Sequence, residues 1–361
     1  MEEETLNSLL EILEKHRRDP ELTELKQKLI EILLQLDPSE DKSFFTPPED
    51  PKAYQISQYS PQVINQLSGQ RGKNSRVLPT GFNALDKMLG GGLGNGEFIV
   101  LGGRPVMGKT TIMMTVIFHL LTRKKVPIYL LSTFDTATKL VHRLHALAGE
   151  LPEPHSGKAS EIIWDQSIDT LRSLEKLPLY LDDTSPAYIE RILDASRWMK
   201  THHGIRIIFI WDLQSIRTKR QFRTRDLELG CICRRLRELS RELEIPVLAI
   251  SQLNRTVEYR GGTRRPQLAD LRDSGNIELE ADKVLLLYRP EYYQIDVDEM
   301  GNSTKFLLEL TVARNQTGKV GSIFLKRNAE FTKITDFDGY TSDITISPRR
   351  LSDLDENDTP F

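Results

Sequence analysis

One octapeptide constrains the fold more than any other part of this chain. Gly103-Arg104-Pro105-Val106-Met107-Gly108-Lys109-Thr110 fits G-x-x-x-x-G-K-[ST]. It follows the apolar run Phe98 to Leu101 and opens the helical stretch Thr111 to Leu121, so a strand, a tight loop and a helix must succeed one another here. The glycines let backbone N–H groups close on phosphate oxygens at a helix N-terminus, where the helix dipole favours negative charge. Gly103, Arg104, Pro105, Met107, Gly108, Lys109, Thr110 and Thr111 are therefore the expected contacts of a nucleoside triphosphate. Lys109 is placed to meet its β- and γ-phosphates, and the Thr110 hydroxyl to ligate Mg²⁺.

The surrounding pattern extends that unit into a sheet. Phe98 to Leu101, Ile128 to Leu131, Leu179 to Leu181, Ile205 to Ile210, Val247 to Ile250 and Val284 to Tyr288 are short apolar runs of the kind buried on both faces of a sheet. Helical stretches lie between several of them; in 226 to 243, Leu229, Ile232, Leu236, Leu239 and Leu243 form one stripe. The alternation predicts an α/β fold, with a mainly parallel, twisted sheet flanked by helices. Residues 305 to 335 instead predict antiparallel hairpins, with turns at Thr317-Gly318 and Lys326-Arg327-Asn328.

Before this domain, which is expected over residues 76–340, leucines at helical spacing on either side of Asp19-Pro20 predict a short helical hairpin over 1–36. It is read either as a satellite packed on the body or as an oligomerisation or partner element. Residues 37–75 have linker composition, with a short helix expected from Pro61 to Leu67, and 341–361 form a flexible acidic tail.

With 361 residues, 39% hydrophobic and 28% charged, the chain is neither disordered nor fibrous. Its net charge of −3 argues against a surface that coats nucleic acid everywhere, but leaves room for a local basic path. Cys231 and Cys233 stand about 200° apart on the helix read there, so they cannot pair. The acidic opening Met1-Glu2-Glu3-Glu4 and the lack of an apolar run near the roughly 18 residues of a membrane span point to a cytoplasmic protein without a membrane partner.

Five features narrow the class further: the Arg104-Pro105-Val106-Met107 insert, Pro79-Thr80-Gly81-Phe82, Ser251-Gln252-Leu253-Asn254-Arg255, Asp270-Leu271-Arg272-Asp273-Ser274-Gly275-Asn276-Ile277-Glu278, and Ala281-Asp282. Over residues 77 to 337 the chain resembles the bacterial replicative DNA helicase family of the DnaB type. The resemblance implies a RecA-like fold, a homohexamer or ring subunit, ATP with Mg²⁺ hydrolysed at subunit interfaces, and single-stranded DNA threaded through the centre during replication. It implies that Gln252 senses the γ-phosphate and that Arg314 enters the neighbouring subunit's site as a finger, although Val312 stands where the family has Lys. The Ser251 and Asp270 motifs speak against a RecA-type recombinase or a circadian-clock-type ATPase, which share the fold.

Two positions depart from the family. Phe134 falls where the family has its catalytic Glu, with Asp135 one residue further on, and Trp211 falls on the Mg²⁺-directing Asp, with Asp212 displaced by one. On a strand a shift of one residue turns the side chain to the opposite face. Either the strand ends bulge and bring Asp135 and Asp212 round to the metal, or nucleotide is bound and turned over slowly. The catalytic set expected on this resemblance is Lys109, Thr110, Asp135, Asp212, Gln252 and Arg314, with Thr110 and Asp212 on the metal.

Two loops after core strands carry the basic path. Arg217, Lys219, Arg220, Arg223 and Arg225 surround Phe222 without an acid; Arg255, Arg260, Arg264 and Arg265 accompany Tyr259 and Glu258. Both are expected to track the backbone of single-stranded DNA. The tail ends in four acids before Pro360-Phe361, resembling the tip of bacterial single-stranded-DNA-binding proteins; it is either a solubilising tail or a dock for a replication protein. The rival function is a regulatory subunit that binds nucleotide and DNA without unwinding.

Overall fold

The computed structural model describes residues 77–149, 161–271, 274–298, 301–316 and 318–337. The hairpin expected over 1–36, the linker over 37–75 with its helix Pro61 to Leu67, and the tail 341–361 with Pro360-Phe361 lie outside the described residues. So does Thr317 of the turn expected at Thr317-Gly318.

In chain order the elements are β1 (Val77–Leu78), α1 (Asn83–Met88), β2 (Leu93–Gly94), β3 (Phe98–Gly103), α2 (Lys109–Arg123), β4 (Ile128–Ser132), α3 (Ala137–Gly149), α4 (Glu161–Leu174), β5 (Leu179–Asp182), α5 (Ile189–His203), β6 (Ile207–Trp211), α6 (Arg225–Leu243), β7 (Val247–Gln252), α7 (Thr256–Tyr259), α8 (Ser274–Glu280), β8 (Lys283–Tyr288), β9 (Leu307–Asn315), β10 (Gly321–Arg327) and β11 (Ile334–Asp336). Nine of the strands form one sheet in the order β11-β10-β9-β8-β3-β7-β6-β4-β5. The six from β8 to β5 pair in parallel, and β9, β10 and β11 add an antiparallel edge.

Strand alternation fills two cores. Ile99, Leu101, Ile128, Leu130, Ile207, Phe209, Leu248 and Ile250 pack on one face against α1, α2 and α3. Phe98, Val100, Tyr129, Leu131, Ile208, Ile210, Val247 and Ala249 pack on the other against α5, α6 and α8. Unbroken apolar runs are thus required, because every parallel strand feeds both layers. β5 is the exception: it is half-buried because it forms the sheet's edge.

In α6 the expected stripe of Leu229, Ile232, Leu236 and Leu239 is buried, and Thr224 caps the N-terminus by accepting from the Leu227 amide. Cys233 joins that core while Cys231 is half-buried, and both are free thiols. The turn expected at Lys326-Arg327-Asn328 begins later than the spacing suggested, because Lys326 and Arg327 belong to β10. Asn328 makes the turn, its side-chain oxygen accepting from the Thr332 and Lys333 amides.

Candidate nucleotide-binding site

The phosphate loop leaves the middle of the sheet. At the C-terminal end of β3, Gly103 is in register with Gln252 of β7 and Leu287 of β8, so ligands meet the ends of three parallel strands here. A Cβ at Gly103 would lie 3.1 Å from the Lys109 side chain. Gly108 has φ +99°, and a Cβ there would lie 2.5 Å from the Phe331 ring, so only glycine fits.

Lys109 opens α2, and its Nζ donates to the carbonyls of Gly103 at 2.6 Å and Arg104 at 2.9 Å. Burial pushes its pKa down to about 8; Asp212 opposes that shift and Arg104 adds to it. Thr110 is half-buried beside it, and the Thr111 hydroxyl donates to the Phe331 carbonyl at 3.3 Å. Pro105 and Val106 are exposed, whereas the Met107 side chain packs into the core and leaves only its backbone for a ligand. The Arg104 guanidinium donates to the Leu253 carbonyl at 3.0 Å and to Glu258 at 2.6 and 2.9 Å.

Asp212 does reach this site, without a bulge. It stands one residue past β6, where strand alternation no longer applies, and it caps the single 3-10 turn Leu213–Ser215 by accepting from the Gln214 amide at 2.7 Å. Its other oxygen accepts from the Gln252 side chain at 3.3 Å. Burial raises its pKa, opposed by the Gln214 amide and by Lys109. A buried carboxylate at Asp212 and the Thr110 hydroxyl at the start of α2 are oxygen donors of the kind Mg²⁺ takes beside substrate phosphates.

Asp135 is placed differently. Its carboxylate accepts from Arg143 at 3.2 and 3.3 Å and lies 3.8 Å from Lys139, both on α3, and Ser132 bonds its backbone. The Phe134 ring, 70% exposed, lies 5.8 Å from the ring of buried Trp211, and Arg143 stands 5.8 Å from the same Trp211 ring.

Two residues of the site escaped the sequence reading. Gln214 joins the ends of β6 and β7, accepting from the Gln252 amide at 3.1 Å and donating to the Ser251 hydroxyl at 2.7 Å. Its one signal was its place two residues after Asp212. Phe331 comes from a distant turn, with Arg289 and Arg327 at 5.0 and 5.2 Å from its ring, and no motif marks it.

Arg314 lies away from the phosphate loop. It pairs with Val284 near the start of β8, whereas Gly103 pairs with Leu287 near that strand's other end. Its guanidinium donates to the Glu278 carbonyl.

The basic loops follow β6 and β7, which are neighbours, so both flank the phosphate site. Arg217, Lys219, Arg220, Arg223, Arg255 and Arg264 are exposed, as is Tyr259 at 86%. Arg217 also meets Glu228 at 3.4 Å, and three further cations of these loops are tied into the fold, Arg265 while still exposed. Arg225 donates to the carbonyls of Gln214 and Ile216 at 2.8 and 2.7 Å and meets Glu228. Arg260 holds Asp270, and Arg265 meets Glu309 at 2.9 Å. Within the Asp270 to Asp282 motif, buried Asp270 and Asp282 serve the fold: Asp282 accepts from the Phe98 amide at 2.9 Å and meets Arg237 and Arg241. Arg272 and Asp273 lie outside the described residues.

A phosphate loop at the ends of parallel strands, with lysine, hydroxyl, carboxylate and amide converging on it, defines a P-loop nucleotide-binding domain. The model of the DnaB-like helicase C terminal domain family matches residues 77–336, and the chain belongs to that family. It is 32% identical over 274 residues to the replicative DNA helicase DnaB of Geobacillus stearothermophilus, a match covering 75% of this chain and 59% of that protein. It is 31% identical over 288 residues to the replicative DNA helicase DnaC of Bacillus subtilis (strain 168), covering 79% of this chain and 62% of that one. The chain thus spans about three-fifths of the length of these relatives. Among solved structures, an ATPase domain superposes with a TM-score of 0.70 at 26% identity, over 80% of this chain and all of that one. A DnaB-like replicative helicase described with its interactions with primase gives 0.69 at 25% identity, over 88% and 76%. Both neighbours carry the RecA-like ATPase fold. No helix among the described residues is long and apolar enough to cross a membrane.

Proposed function

We propose that this chain is a ring-forming, ATP-binding DNA helicase subunit that acts on single-stranded DNA in replication, in the cytoplasm, and that hydrolyses ATP slowly. The reading is supported by the convergence of Lys109, Asp212 and Gln252 on the phosphate loop and by the ring contact of Phe134 with Trp211, the two residues that the resemblance sets against the family's acids. Lys109 binds the phosphates, and Thr110 and Asp212 hold Mg²⁺, which on binding supplies charge neutralisation to the phosphate oxygens. Gln252 reports the γ-phosphate to Asp212 and, through its backbone, to Gln214. Asp135 is held by Arg143 and Lys139 and contributes little to water activation.

Arg314 serves a neighbouring subunit, a role supported by its place level with the start of β8, at the strand ends opposite the phosphate loop. The outward cations of the two loops contact DNA, and Pro360-Phe361 docks a replication protein. The same aromatic pair favours a second reading, a regulatory subunit that binds nucleotide and DNA without unwinding. Native mass measurement with a non-hydrolysable ATP analogue and an oligodeoxythymidine tests the proposal. One homohexamer per DNA strand is expected, and a monomer that ignores both ligands would contradict it.

A further inference from the structure

Arg104 is the hinge between two parts of the molecule that the sequence treats separately. Its carbonyl accepts the Lys109 ammonium, and its guanidinium is committed to Leu253 and Glu258 in the segment that follows β7. The side chains of this ion pair are only 11% and 36% exposed, so water screens the contact less than it would a surface pair. Glu258 is the one acid between Arg255 and Arg265. It lies on α7, which starts just after Arg255 and ends on Tyr259, the most exposed large apolar side chain of the loop. Glu258 therefore ties the segment that carries Arg255 and Tyr259 to the phosphate loop, beside the anchors of buried Val257 and the Arg260–Asp270 pair.

We infer that Glu258 is a positioning residue that couples triphosphate binding to the posture of the 254–260 segment. An arriving triphosphate draws the Lys109 ammonium to its β- and γ-oxygens and away from the Gly103 and Arg104 carbonyls. The loop backbone at Arg104 then loses its internal bond and adjusts to the phosphates. Its side chain, bonded at both Leu253 and Glu258, carries the adjustment outward along a rigid fork. Coupling of this kind is reciprocal: a strand seated on Arg255 and Tyr259 biases the same Arg104 from the other side. The inference rests on the proposal that this segment contacts single-stranded DNA.

The test compares wild type with Glu258→Gln, which keeps shape and turns the two charge-assisted bonds from Arg104, both ending on one oxygen, into weaker neutral ones. Oligodeoxythymidine affinity is measured with and without a non-hydrolysable ATP analogue. In wild type the analogue is expected to change DNA affinity at least about fivefold, and in Glu258→Gln less than about twofold. Equal coupling in both proteins, or none in wild type, would overturn the inference while leaving the DNA-binding proposal standing. Absence of DNA binding in every state would overturn both. Amide hydrogen exchange over 254–260 gives a reading independent of DNA. The analogue is expected to change exchange there in wild type and not in Glu258→Gln, and an identical response in both would count against the coupling.

Discussion

The ring of Phe134 lies 5.8 Å from the ring of Trp211, tilted by 32°, at the ends of two neighbouring parallel strands. An aromatic pair neither accepts a proton from water nor binds a metal directly. Arg143 on one side of Trp211 also takes the carboxylate of Asp135, so the nearest substitute acid is neutralised by the same cluster.

Lysine burial sets a pH dependence. Free Lys109, with its pKa pushed down to about 8, loses its proton above that pH, while bound phosphates favour the charged form. Analogue affinity is expected to hold below about pH 8 and to fall by up to about tenfold per unit above it. Calorimetry at pH 8.5 in buffers of different ionisation heat should register uptake of roughly half to one proton on binding. For the free protein the sign is reversed: between about 8 and 10.5 the unfolded chain holds more protons at this site, so this group adds stability as pH rises. No proton uptake would contradict the assignment.

Gly108 carries two constraints at once. Gly108→Ala is expected to lower stability by about 1–3 kcal/mol, from the left-handed backbone and the Phe331 contact together, and to abolish analogue binding. Made in a Phe331→Ala background, Gly108→Ala should cost only the backbone part, about 1 kcal/mol. Thermal melting of the two variants separates the contributions; an unaltered melting temperature in Gly108→Ala would contradict the packing described.

The first basic loop carries four exposed cations, of which Arg217 also meets Glu228, and the half-buried Arg225. Replacing Arg217, Lys219, Arg220 and Arg223 together by Gln should reduce the slope of log affinity against log salt by about 3, at roughly 0.7 per phosphate on a single strand. Arg225→Ala should instead cost about 1–3 kcal/mol of stability, because the Gln214 and Ile216 carbonyls lose their donor, with little change in slope. Salt titrations and melting curves of both variants check the division.

The sequence made the central architecture legible because two strong local rules agree there. Strands buried on both faces give unbroken apolar runs, and a phosphate loop needs glycines at fixed spacing before a helix. The sheet's antiparallel edge was legible as hairpins, though the turn at Asn328 comes later than expected because Lys326 and Arg327 belong to β10. What stayed hidden was long-range or lay at element ends. Strand parity placed Asp212 on the wrong face only because β6 stops at Trp211. Phe331 reaches Gly108 across most of the domain, and nothing local announces it. Basic runs showed which residues carry charge, but not that Arg225, Arg260 and Arg265 are tied to partners inside the fold.

The proposal that nucleotide is bound without a hydrolytic acid is checked by steady-state ATP turnover on saturating single-stranded DNA. Wild type is expected to turn over slowly, and Phe134→Glu to raise the rate by about 10- to 100-fold by restoring a group that polarises water. A wild-type rate in the ordinary range of about 1–100 per second, unchanged or lowered in Phe134→Glu, would contradict it.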